Sequence, residues 1–114
     1  MMQITSAQVL TELSHHIGQA NGIHVRDLVA RITGQLVTSE PQERKVRQII
    51  TDLRMDGAHI CGHPSSGYYM AETPEELEHT LQFLRSRAIS SLTLESRMRR
   101  ISMPDLLGQL NLKT

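Results

Sequence analysis

The sequence predicts an α+β fold, mainly α, in which three helices precede a β-hairpin and a long helix and a short final helix follow it. Three stretches decide this. SEPQERKVRQIITDLRMDG, Ser39 to Gly57, reads as a capped amphipathic helix, and AHICGHPSSGYYMA, Ala58 to Ala71, as two short strands around a Gly-, Pro- and Ser-rich loop. Thr73-Pro74-Glu75-Glu76 then opens a helix with leucines at spacings of three and four.

Taken in order, the first helix is expected from Ser6, its cap, to about Ile17, with Val9, Leu10, Leu13 and Ile17 on one face. Gly18 and Asn21-Gly22 force a turn. Ile23-His24-Val25 is β-capable and suited to pair with a later strand, and a second helix from Arg26 to about Ile32 buries Leu28, Val29 and Ile32. The connection from Thr33 to Glu40 suits a helix-turn-helix, though it is longer than the tightest ones.

In the third helix Ser39 caps the amino end, Pro41 suits the first turn and Gln42 stands where a capping-box partner reaches back. Val46, Ile49, Ile50 and Leu53 form one apolar stripe, and Gly57 supplies the left-handed residue that ends the helix. Outside remain Gln42, Arg44, Lys45, Arg47 and Gln48, with Thr51 and Arg54 further along.

In the hairpin, Tyr68 and Tyr69 point to opposite faces, one expected in the core and the other exposed. The long helix starts with a capping box from Thr73 to Glu76 and is expected to run as far as Arg100, with a kink or break near Ser90 to Thr93. Its stripe is Leu77, Leu81, Leu84 and Ala88, continued by Leu92, Glu95 and Met98. Ser102, Pro104 and Asp105 begin a short helix carrying Leu106, Leu107 and Leu110, after which the end is expected to fray. The expected division is 1–72 for the helix-and-hairpin domain and 73–114 for a helical extension that serves as the oligomerisation element.

At 114 residues and 39% apolar content the chain fits one small domain plus a tail. Its formal net charge is zero, so there is no global positive field and affinity for a polyanion has to come from local patches. The signs segregate: Glu72, Glu75, Glu76 and Glu78 cluster, and Arg85, Arg87, Arg97, Arg99 and Arg100 follow. A single cysteine, Cys61, excludes an internal disulfide, and no run is apolar enough to span a bilayer or act as a secretory signal. A cytoplasmic protein is expected. The six methionines are expected to fill core gaps.

The order helix, short strand, helix, helix, hairpin resembles a winged helix-turn-helix domain, three helices plus a β-hairpin wing. RKVRQIITDLRMDGAHICGHPSSGYYMA is similar to the recognition-helix-plus-wing segment of the group related to the amino-terminal domain of the biotin repressor, with Arg44, Leu53, Gly57, Ile60, Gly67 and Tyr68 as landmarks. Gly-Tyr-Tyr followed by Thr-Pro-Glu-Glu-Leu also resembles small prophage DNA-binding proteins of replication or repression. The resemblance covers roughly Ser6 to Glu78. It implies that Pro41 to Asp56 enters the major groove of double-stranded DNA. Arg44, Lys45 and Arg47 would contact guanine edges or phosphates, Gln42 and Gln48 adenine, and Arg54 the backbone, with Thr51 on the same face. His63, Ser65 and Ser66 of the wing would lie along a phosphate or the minor groove. The wing lacks Arg and Lys, and Glu40 and Glu43 flank the reading face, so strong binding calls for two copies. A homodimer through the helix starting at Pro74 supplies them.

His59, Cys61 and His63 alternate along the first hairpin strand and are zinc-ligand types, but no fourth ligand is identifiable, although His15, His16 or His24 are free to approach in space. The favoured reading is a small buried thiol flanked by surface imidazoles, with no cofactor. No Gly-rich phosphate loop precedes a Lys-Ser or Lys-Thr, and no paired-carboxylate constellation stands out, so no enzyme is expected. Two readings remain: a phage- or prophage-type DNA-binding transcriptional regulator or replication accessory protein, and a winged-helix module that binds another protein without DNA.

Overall fold

The computed structural model describes residues 3–111. In order the elements are α1 (Ser6–Leu13), a 3-10 turn (Gln19–Asn21), α2 (Val25–Thr33), α3 (Glu40–Met55), β1 (Ile60–His63), β2 (Gly67–Met70), α4 (Pro74–Arg99) and α5 (Met103–Gln109). The fold is α+β and mainly helical, with one antiparallel two-stranded sheet. The chain divides into two compact units, Met1–Thr80 and Leu81–Thr114.

Local chemistry accounts for the helix ends. Thr5, not Ser6, caps α1, because Gln8 stands three residues after Thr5 and its carboxamide accepts the Thr5 amide while the Thr5 hydroxyl accepts that of Gln8. The helix also stops at Leu13 rather than running to Ile17. His15 and His16 donate to carbonyls three residues back, and the next segment bonds instead to β2. Ile17 is therefore half exposed, off the helix face expected for it. Ser39 and Gln42 form the expected capping box on α3. Gly57, at φ 99°, ends it: the Gly57 amide donates to the Arg54 carbonyl and the Ala58 amide to that of Leu53. That is a Schellman motif, and it turns the chain directly into β1.

The core of the first unit gathers Val9 and Leu13 of α1, Leu28 and Val29 of α2, Val46, Ile49 and Ile50 of α3, and Ile60 of β1 around Ile4 and Ile23. Each such side chain contributes about 1.5–3 kcal/mol by leaving water. The register pairs Ile60 with Met70 and Cys61 with Tyr69. The segment after α1 lies along β2: Ile23 and Tyr68 exchange two backbone hydrogen bonds of 2.8 and 2.7 Å, and Met70 donates to His16 and accepts from Gly18. Ile23 thus pairs with a strand as expected, whereas Val25 already begins α2. Gly67, at φ 79°, lets this approach happen, because a Cβ there would collide with the Ile23 carbonyl group.

Both hairpin faces are covered. Ile60, Tyr68 and Met70 join the helical core, while Cys61 and Tyr69, on the opposite face, are buried. The Cys61 thiol donates to the Glu76 carbonyl at 3.6 Å, and the Tyr69 hydroxyl is hydrogen-bonded to Thr80. Neither tyrosine is the exposed one expected, since Tyr68 is half-buried. Burial, with Cys61 and Glu76 nearby, raises the Tyr69 phenol above its ordinary value, and the Thr80 bond opposes this.

α4 is one uninterrupted helix of 26 residues, without a break at Ser90 to Thr93. Its cap differs from expectation in one half: the Thr73 hydroxyl accepts the Glu76 amide, but the Glu76 carboxylate does not return to Thr73. It accepts the amides of Glu72 at 2.9 Å and Gln19 at 3.0 Å. α4 ends at Arg100, at φ 58°, whose amide donates to Arg97 while Ile101 donates to Ser96. Ser102 then caps α5, where Leu106 is buried and Leu110 is not. Of the methionines expected to fill core gaps, Met70 packs against the core, Met103 is half-buried, and Met55 and Met98 stand in solvent; Met1 and Met2, like the last residues expected to fray, lie outside the described ones. Among the described residues no helix is long and apolar enough to cross a membrane.

Candidate functional site

The exposed side of α3 is what its buried stripe leaves over. With Val46, Ile49 and Ile50 turned inward, helical spacing places Arg44, Lys45, Gln48 and Thr51 on the outside. α3 carries four cations against three anions, and their placement decides which are available. Arg44 and Lys45 are exposed and have no hydrogen-bond or ion-pair partner among the described residues. Arg47 is drawn back toward Glu40 and Glu43, each 3.6 Å away. Such exposed pairs are worth at most about 1 kcal/mol, so Arg47 is biased rather than locked.

The remaining polar residues of this helix are partly committed. Gln42 spends its oxygen on the Ser39 cap and its amide on Gln35 at 2.9 Å. Gln48 donates to Asp52 at 3.0 Å, and the Thr51 hydroxyl to the Arg47 carbonyl at 3.1 Å. Arg54 turns toward the hairpin: its Nε donates to the Ile60 carbonyl at 2.8 Å and its guanidinium lies 5.8 Å from the centre of the Tyr68 ring. This joins the end of α3 to the sheet and fixes the angle between them. Nothing in the spacing of Arg54 signals that role; it follows from the Schellman turn at Gly57.

The hairpin loop is Pro64-Ser65-Ser66, with His63 at its edge. His63 and Ser65 are exposed, and His63 Nδ1 lies 2.7 Å from the Ser65 hydroxyl and 3.1 Å from its amide nitrogen, so the ring organises the loop. The loop therefore presents hydroxyls and an imidazole. His59, Cys61 and His63 do not converge, because Cys61 faces inward against α4 while the two histidines are exposed. Among the described residues no group of three or more His, Cys, Asp or Glu is placed to hold a metal ion.

The connection between α2 and α3 presents a feature that its role as a helix-turn-helix link does not account for. Gly34, at φ 74°, ends α2, and Leu36 and Val37 then project into solvent at 99% and 85% exposure. Two adjacent apolar residues so exposed beside the amino end of α3 form a surface of their own. The charge division is also sharper than the local clusters indicated. Residues 1–80 hold ten acids and six lysines or arginines, and residues 81–114 two acids and six.

No protein-family model, curated protein or solved structure matches this chain.

Proposed function

We propose that the first unit is a winged helix-turn-helix domain that binds double-stranded DNA, with α3 as the reading helix and β1–β2 as the wing. The observation that carries this is the pair of unpartnered cations Arg44 and Lys45, beside Gln48, on the exposed first turns of α3. α3 is backed by α1 and α2 and followed at once by the hairpin, the order a winged helix requires. Arg44 and Lys45 contact phosphates or guanine edges, Gln48 exchanges Asp52 for a base, and His63, Ser65 and Ser66 meet the backbone or minor groove. Gln42, Arg47 and Thr51 contribute less, being engaged in intramolecular contacts, and Arg54 positions the wing against α3.

The acidic balance of residues 1–80 keeps a single copy weak, and a homodimer through α4 adds the contacts of a second α3. Such a protein acts as a transcriptional regulator or replication accessory factor of the phage or prophage type that the sequence resembles, in the cytoplasm, without a cofactor and without catalysis. Salt-dependent binding to duplex DNA, lost in an Arg44→Ala and Lys45→Ala variant, tests this. A second reading has its own support: Leu36 and Val37 suit docking to a protein, in which case the fold is an interaction module and duplex binding is absent.

A further inference from the structure

The outer face of α4 carries information about orientation. Leu81, Leu84, Ala88, Ser91, Glu95 and Met98 follow one another at spacings of three, four, three, four and three, the alternation of a coiled-coil seam. The seam is uncovered: Leu81 is 48% exposed, Leu84 41% and Met98 77%. Ser91, Leu94, Glu95 and Met98, with Arg99 at the rim, line a shallow cavity of about 340 Å³. Those four positions are i, i+3, i+4 and i+7, the set that forms a hole for a side chain from a facing helix.

We propose that this seam pairs with the α4 of a second copy in antiparallel orientation, centred near residue 86; this deepens the dimer reading above and rests on it. Side-chain size makes the first argument. Antiparallel pairing about that centre sets Leu81 against Ser91 of the second copy and Leu84 against Ala88, and the symmetry repeats both layers, so both central leucines meet small residues. Parallel pairing would set Ala88 on Ala88 and Ser91 on Ser91, leaving gaps, and would bring the two Glu95 carboxylates together in the seam.

Charge makes the second argument. α4 has Glu75 and Glu76 in its first turn, with Glu78 just beyond, and Arg97 and Arg99 in its last. The same antiparallel register places Glu75 beside Arg97 of the second copy and Glu78 within a turn of that Arg97, whereas parallel pairing stacks acid on acid and base on base. Glu95 is held by Arg99 of its own helix at 2.7 Å, which compensates the one carboxylate of the seam.

The test mixes a mass-tagged Leu84→Cys chain with an untagged Ala88→Cys chain under mild oxidation. Cys61 is buried and takes no part. Antiparallel pairing predicts that the mixed 84–88 disulfide forms several-fold in excess over either like-with-like product. Predominance of 84–84 and 88–88 products overturns the orientation while keeping a dimer. A solution mass of one chain at tens of micromolar protein, with no cross-link, overturns the pairing itself. Neither readout involves DNA, so loss or retention of duplex binding is a separate result.

Discussion

The carboxylate of Glu76 accepts the backbone amide of Gln19, fifty-seven residues away, at 3.0 Å, and with its other oxygen the amide of Glu72 at 2.9 Å. One side chain in the first turn of α4 thereby fastens the turn that follows α1 to the exit of the hairpin. These two amides, outweighing a small opposing effect of burial, hold the Glu76 carboxyl below its ordinary pKa.

A depressed pKa fixes the sign of a pH effect. The stabilisation is present above the ordinary glutamate value of 4.5 and is lost as pH falls through the lower value of the folded protein. Glu76→Gln keeps one acceptor but turns an NH2 toward the other amide. It is expected to lower Tm by several degrees at pH 7 and to converge on the parent as pH drops below 4.5, read by thermal melts across pH.

Gly67 is the tightest point of the sheet. At φ 79°, a Cβ on it would overlap the Ile23 carbonyl group that pairs with Tyr68. Gly67→Ala is expected to cost about 2 kcal/mol or more, from backbone strain and displacement of the bridge. Urea denaturation gives the number.

These contacts mark how far the sequence could be read. Helix ends set by neighbours were legible: the Ser39–Gln42 box, the Gly57 stop and the Ser102 cap involve residues within a few positions of each other. Thr5 was legible in principle, since Gln8 is its box partner and Ser6 has Val9 at that spacing. The end of α1 at Leu13 and the diversion of Glu76 to Gln19 were not legible, because each depends on strands or turns brought alongside by the tertiary fold. Of the candidate site, the exposed face followed from the apolar spacing of α3. Which cations on it are unpartnered followed only from where Glu40 and Glu43 sit.

Arg100 holds a left-handed conformation at φ 58°, where α4 ends in the hydrogen-bond pattern for which glycine is preferred. Arg100→Gly removes a strain of about 1 kcal/mol, offset in part by the greater freedom of glycine in the unfolded chain. The variant is expected to be as stable as the parent or more so, by up to about 1 kcal/mol, in chemical denaturation. A loss of stability would show that the Arg100 side chain makes a favourable contact that outweighs its backbone strain.

Leu36 and Val37 take no part in the core. Replacing both by Ser is expected to change stability by less than about 0.5 kcal/mol, since neither is packed. If DNA is the partner, the double variant retains duplex affinity. If a protein docks on this surface, the variant loses that partner while keeping its fold, as circular dichroism and a pull-down comparison would record.

Arg44 and Lys45 remain the point on which the proposed function turns. The most direct measurement is the affinity of the full chain for a random-sequence duplex across a salt series, for the parent and for the Arg44→Ala, Lys45→Ala variant. The parent is expected to bind with log affinity falling linearly against log salt, and the variant to bind more weakly with a slope shallower by about 2, one unit for each phosphate contact removed. Absence of parent binding at low salt, or identical affinity and slope for the two proteins, would contradict DNA reading by α3 and favour the protein-docking alternative.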